Sequence, residues 1–309
     1  VDLARPVIYR GITLNDAAST GPGGGNTVVG MRLTRVSYSI VSTHGYTEKN
    51  ALKDGMSASD VFMGIRRVDM AGEVYGEDKA ELFDRLALLR YALTPTTAYA
   101  AAPADKGYLP LTFFVPTAKV SDWPTGYIQQ SIRCRPIAQP EWMVTHEAID
   151  SNVPRGFVIP VSMGFEAKDP LIYHPTRIVE YFDGTADSGS LRNRGTYPTP
   201  LNFVLRRSGS LTGSCLFVFV GMGANMSVTI PADTVDRYVI VDSANRVVYY
   251  DRGDGPELRM DLIDTERASG YTWPTVPPTP EGESASIYSW TATAPLDALS
   301  EMSFYEAWA

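Results

Sequence analysis

The sequence predicts a mainly β protein with one helix, built as two domains, and three observations carry that reading. Runs of strand length alternate apolar and polar residues through most of the chain. Only one segment has a helical period. The 309 residues include 17 Tyr, 22 Pro and 26 Gly against 11 Phe, a composition that suits short strands and tight turns. A chain of this length also exceeds what one small core normally uses, so two domains are the first expectation.

"STGPGGGNT", residues 19–27, is a Gly-rich loop. "MRLTRVSYSIVS" then alternates: Met31 and Leu33 share a face, and Val36, Tyr38 and Ile40 follow after a one-residue slip at Thr34-Arg35, where a bulge is expected. "DVFMGIRRVDMAGEVYG" reads as a second long bent strand with its own slip at Arg66-Arg67. Residues 77–93 form the helix. Asp78 with Glu81 gives a capping-box start, Leu82, Leu86, Leu89 and Leu93 make one apolar stripe, and Pro95 ends it. After an Ala-rich connection at 98–105 come "YLPLTFFVPT", "GYIQQSIRCRPI" and the clearest strand of all, "RGFVIPVSMGFEAKDPLIYH". That strand turns Phe157, Ile159, Val161, Met163, Phe165 and Ala167 one way and Ser162, Glu166 and Lys168 the other. One wet face implies an antiparallel sheet. Asp169-Pro170 closes the first domain.

Residues 176–200, rich in Gly, Ser, Thr and Pro, read as a boundary or a loop leading into the second domain. Beyond them strands arrive about every eight to twelve residues, from "LNFVLRR" to "ASIYSWTAT" and "MSFYEAWA", the spacing of a β-sandwich or jelly roll. "VDSANRVVYY" is a hairpin, and "DRGDG" is the next turn of the same meander. Arg252-Gly253-Asp254 within it is a known adhesion triplet, which the turn explains without any display at a cell surface. The domains are therefore expected at residues 1–175 and 176–309.

Formal net charge is −8, which argues against a general nucleic-acid binder but suits a surface past which DNA slides without sticking. Cys134 and Cys215 are far apart, without zinc spacing, and read as buried free thiols. No secretory signal is visible and no apolar run approaches about 18 residues, so the chain reads as soluble and made inside a cell.

Catalytic and cofactor motifs fail one by one. Gly221-x-Gly223 follows a strand, but Met226 stands where the third glycine belongs and a strand follows in place of a helix. His44, His146 and His174 are scattered, and no Gly-x-Ser-x-Gly elbow occurs. Asp251, Asp254, Glu257, Asp261 and Asp264 miss the EF-hand spacing and read as a solvated acidic stretch. No catalytic residue, cofactor or metal site is expected, and the chain reads as no enzyme.

The order of elements resembles the distal tail proteins of long-tailed bacteriophages. In the first half "LKDGMSASDVFMGIRRVDMAGEVYG", the helix, "LPLTFFVP", "IRCRPI" and "FVIPVSMGFEAKDPLIY" carry it. In the second half "NRGTYPTP", "MSVTIPADTVDRYVIVDSANRVVYYD", "WPTVPP" and "SFYEAWA" do. The resemblance implies a ring-forming, barrel-like N-terminal β-sandwich with one helix, and a C-terminal galectin-like jelly roll. It further implies a homohexamer at the virion tail tip, assembled in the host cytoplasm, that joins the tail tube protein to the baseplate hub. Genomic DNA would pass through its channel, and the outer domains would hold side fibres or receptor-binding proteins. Glu73, Gln129 and Glu166, polar positions on the ring domain's strands, are the candidates to face such a channel. Arg192 and Arg194 either pair with a neighbour's acids or sit in a solvated loop. The rival reading is a carbohydrate-binding protein that uses an exposed aromatic of the second domain, with Trp273 as its contact; Trp290 and Trp308 lie in terminal strands, and at least one of them is expected in the core.

Overall fold

A computed structural model describes residues 5–15, 27–28, 30–39, 43–44, 47–49, 56–58, 62–142, 157–206, 213–222, 224–232, 237–263, 273–279 and 284–308. The chain divides into two compact units, Val1–Pro175 and Thr176–Ala309. Both are built from strands, as the alternation predicts.

In the first unit the elements run β1 (Ile8–Tyr9), β2 (Ile12–Thr13), β3 (Thr27–Val28) and β4 (Met31–Tyr38), then four short strands, β5 (Thr43–His44), β6 (Thr47–Lys49), β7 (Met56–Ala58) and β8 (Phe62–Met63). β9 (Arg66–Gly76), α1 (Lys79–Leu93), α2 (Pro95–Ala101), β10 (Leu109–Pro116), β11 (Tyr127–Pro136), β12 (Glu141–Trp142), β13 (Phe157–Ala167) and β14 (Ile172–Tyr173) complete it. The strand order is β3-β2-β1-β10-β11-β13-β9-β4. Long β11 joins two halves, pairing with β10 along its length and with β13 only at Arg135 and Pro136. The halves face one another: the Tyr9 and Phe165 rings meet at 5.1 Å and those of Tyr38 and Phe113 at 5.5 Å. All pairings on this path are antiparallel except β2 with β3.

The slip at Thr34 is real. The β4–β9 register shifts between Leu33 and Arg35, so Leu33 and Val36 both reach the interior side of the sheet. Gly72 lies opposite Leu33, and a Cβ there would come within 2.5 Å of the Arg32 carbonyl oxygen. The expected slip at Arg66-Arg67 is instead a break. β8 ends at Met63, Ile65 is exposed, and β9 starts afresh at Arg66.

Helix α1 starts as its residues dictate. Asp78 accepts from the Glu81 amide at 2.8 Å, and the Glu81 carboxylate accepts from the Glu77 amide at 2.7 Å. Its other oxygen takes Arg85 Nη2 at 2.7 Å. Leu82, Leu86, Leu89 and Leu93 are all buried. Pro95 does end α1, but it also opens α2 at that helix's first turn, so part of the Ala-rich connection is helical. Asp78→Ala should lower stability by about 1 kcal/mol, read as a lower urea midpoint; an unmoved midpoint would mean the cap is dispensable.

The second unit comprises β15 (Ile178–Leu191), β16 (Thr199–Pro200), β17 (Asn202–Arg206), β18 (Cys215–Gly221), β19 (Ala224–Ile230), β20 (Tyr238–Asp242), β21 (Val247–Asp251), β22 (Pro256–Leu258), β23 (Thr275–Val276), β24 (Ser286–Phe304) and β25 (Ala307–Trp308). Two strands organise it. β24, which the sequence spacing reads as two separate strands, is one of 19 residues. Its first half pairs with β18 and its last residues with β17. β15 pairs along both halves, with register shifts between Phe182 and Ala186. The Gly- and Ser-rich stretch read as a loop is therefore mostly this strand. Phe182, Phe203, Phe217, Phe219 and Trp290 fill the space between the two layers, with centroids 5.0–6.2 Å apart. Trp290 is buried, as expected of at least one terminal tryptophan, and Trp308 is half-buried.

Both cysteines are free and buried. Burial pushes the Cys134 thiol up, which keeps it protonated and unreactive. Among the described residues no helix is long and apolar enough to cross a membrane.

Candidate interaction surfaces

Strand alternation gives each half of the first unit a face turned away from the core, and the three polar residues singled out in the sequence lie on such faces, Glu73 and Glu166 on the β13–β9–β4 half and Gln129 on the β10–β11 half. On β9, Val68, Met70 and Val74 are buried, and Arg67, Asp69 and Glu73 take the other side. Glu73 is exposed and pairs in register with Arg32 of β4 and Pro160 of β13. Glu166 is the register partner of both Arg67 and Arg135. Gln129, half-buried on β11, is two pleats from Arg133 and faces Phe114 across the ladder.

Glu166 is not a free acid. Arg135 Nε donates to it at 2.6 Å, Tyr108 Oη donates to the same oxygen at 3.4 Å, and the Arg135 guanidinium lies 4.9 Å from the Tyr108 ring centroid. The bond to Glu166 raises the Arg135 pKa, and burial, then the Glu166 charge, push Tyr108 up. Arg133 meets Asp105 at 2.7 Å and Arg67 meets Asp69 at 3.3 Å. The face is thus a mixed ladder of arginines and carboxylates.

That ladder corrects the charge argument. Residues 1–175 carry 17 Lys and Arg against 18 Asp and Glu, whereas residues 176–309 carry 10 against 17. Almost all of the net negative charge belongs to the second unit. The first unit by itself is close to neutral.

Within "RNRG", Arg192 is exposed, whereas Arg194 is taken up inside the unit instead of sitting in a solvated loop or meeting a neighbour. Glu306 is completely buried and accepts from Arg194 Nε at 2.6 Å, from Arg194 Nη2 at 2.9 Å and from the Arg194 amide at 3.0 Å. The Asn193 amide group donates to the Tyr197 and Val276 carbonyls. Gly195 fits because its Cα passes under Ala307, whose carbonyl oxygen would collide with a Cβ there. Sequence reasoning missed this clamp because its two charges are 112 positions apart.

The Arg-Gly-Asp triplet is the exposed turn between β21 and β22. Gly253 and Gly255 have φ of +95° and +120°, a region that favours glycine. Asp251 accepts from the Gly253 amide at 2.7 Å and from Tyr238 Oη at 3.1 Å, and the Arg252 guanidinium lies 5.4 Å from the Tyr250 ring centroid. Turn chemistry accounts for each residue. Gly221 and Met222 likewise turn a hairpin between β18 and β19, and no helix follows them.

Trp273 is half-buried and packed against the core of the second unit. His174 lies against Trp123, with centroids 5.2 Å apart. His146 and Asp264 lie outside the described residues. Among the described residues no group of three or more His, Cys, Asp or Glu could hold a metal ion.

These features define a mainly β chain of two units with a charge-laddered sheet face on the first and an internally clamped sandwich as the second. Its fold is that of a phage Dit protein. The crystal structure of SPP1 Dit (gp 19.1), described as a paradigm of the hub adsorption apparatus in phages infecting Gram-positive hosts, matches it with a TM-score of 0.55 and 18% identity. The match covers 98% of this chain and 99% of that chain. A chain of the phage p2 baseplate in its activated conformation aligns with a TM-score of 0.39 and 10% identity over 89% of this chain and 90% of that chain. No protein-family profile and no curated protein matches the sequence.

Proposed function

We propose that this chain is a structural part of a phage tail tip, a homohexameric adaptor that joins the tail tube to the baseplate hub. The observation that carries this reading is the end-to-end correspondence with SPP1 Dit, which spans both units in order. In this reading the first unit forms the ring and the second projects outward, where it holds fibres or receptor-binding proteins. The chain assembles in the host cytoplasm and resides at the virion tail tip, and it catalyses nothing.

β4 supports the ring. Among the described residues it ends the strand order of the first unit, and an edge strand is suitable material for the head-to-tail interfaces of a closed ring. The charge-laddered face lines the channel, with Glu73 and Glu166 on it, while Gln129 lies on the outward side of the β10–β11 half. Fixed Arg–carboxylate pairs leave such a wall little net charge, so DNA passes without being held.

Negative-stain imaging of the purified chain, alone and mixed with tail tube protein, tests this. Six-fold rings with a central channel are expected, at least in the mixture. Monomers that also ignore the tube protein would sink the adaptor reading.

A further inference from the structure

We propose that the interior of the first unit binds a small inorganic anion of halide size, held between Arg66 of β9 and Tyr38 of β4. The site is internal to the unit and does not depend on ring formation.

Arg66 opens β9 on the same side as Val68, Met70 and Val74, so alternation turns its side chain toward the core. It is 5% exposed, and its Nε is buried without a hydrogen-bond partner. Burial lowers its pKa, and the charges of Tyr38 and Asp169 act against that. Asp169 reaches it only from a distance, because the Asp169 oxygens are taken by the Leu171 amide at 3.0 Å and by Tyr173 Oη at 2.7 Å. Among the described residues no ion pair reaches the Arg66 guanidinium. An arginine does not escape such a site by losing its proton, and a buried charge left unpaired is strongly destabilising.

Tyr38 supplies the second donor. It stands opposite Val68, so it is the diagonal neighbour of Arg66 on the same face of the sheet, within reach of long side chains. Its Oη is also buried without a partner, and its ring lies 5.5 Å from that of Phe113 on the opposing half. Burial above all pushes this phenol up, so it keeps its proton and donates. On the other side of Arg66 its register partner is Ala167, the smallest residue on an interior face that otherwise carries Ile159, Val161, Met163 and Phe165. A short side chain there leaves room beside the guanidinium.

Two neighbouring donors without an acceptor require one. Water would satisfy both hydrogen bonds and leave the charge unpaired, whereas an anion satisfies the bonds and the charge together. Enclosure sets the size. Neither donor atom is open to solvent, which suits a monatomic ion and excludes a phosphate carried on a nucleic acid. On the facing half Gln130 is buried as the register partner of Phe113, so its amide adds a neutral polar group to the same interior.

The test compares the full-length chain in bromide and in gluconate, an anion too large for the site, at one ionic strength. With a Kd of about 10 mM, bromide at about 100 mM should favour the native state roughly tenfold over gluconate, read by calorimetric unfolding. Crystals grown in bromide should show an anomalous peak within hydrogen-bond reach of Arg66 Nε and Tyr38 Oη. Arg66→Met removes the charge, so it should lose the bromide effect and, in gluconate, unfold at a higher temperature than the unsubstituted chain. Tyr38→Phe removes one hydroxyl and should weaken bromide binding about tenfold; it decides the matter if Arg66→Met does not fold. Equal stability in the two salts, an anomalous peak only elsewhere, or an unchanged bromide response in Tyr38→Phe would overturn the proposal. A water at the site without anomalous signal would overturn it as well.

Discussion

Arg194→Ala is expected to destabilise the second unit by about 3–5 kcal/mol, because it leaves a buried carboxylate without its counter-charge. Glu306 has no exposed surface and takes three bonds from one residue, two of them from the guanidinium that the substitution removes. The loss should spread along the segment. The Thr196 and Tyr197 amides both donate to Ala307 O, next to Glu306, so the last strand loosens with the ion pair. Urea unfolding followed by far-UV circular dichroism measures the loss. A cost below about 1 kcal/mol, the range of an exposed pair, would refute the clamp.

Phe217→Ala should cost a similar amount, about 3–5 kcal/mol, for a different reason. Its ring lies 5.5 Å from that of Phe182, 5.8 Å from Phe203 and 6.0 Å from Trp290, so truncation opens a cavity between both layers. Phe217→Leu keeps most of the volume and should cost only about 1–2 kcal/mol. Denaturant unfolding of the two variants separates the cases. Tryptophan emission reports alongside, since Trp290 stacks on the missing ring. Equal losses from Ala and Leu would show that ring contacts, and not cavity volume, set the cost.

Helix α1 was legible because everything that makes it is local. Its cap, stripe and stop lie within one run of residues, and each is found as read. The Thr34 bulge was legible for the same reason, since a slip in alternation is itself a local signal. β15 was not legible. Gly184, Gly189 and its serines have low strand propensity, and the strand forms because β24 supplies a partner along its length. The ladder face of the first unit was half legible. Alternation placed Glu73 and Glu166 on polar sides of strands, but only register brought Arg135 onto Glu166.

The β class, the helix, the turn glycines of the Arg-Gly-Asp hairpin and the burial of both cysteines are all legible in local stretches of the chain. These follow from backbone sterics and from the removal of apolar side chains from water, which act between near neighbours. Strand order, the pairing of β24 with β15, β18 and β17, and the Arg194–Glu306 clamp are not legible there. Each of these joins residues far apart in the chain. Their energies exist only once long-range pairing has been formed against the entropy of loop closure, and no local pattern announces which distant partner will be chosen.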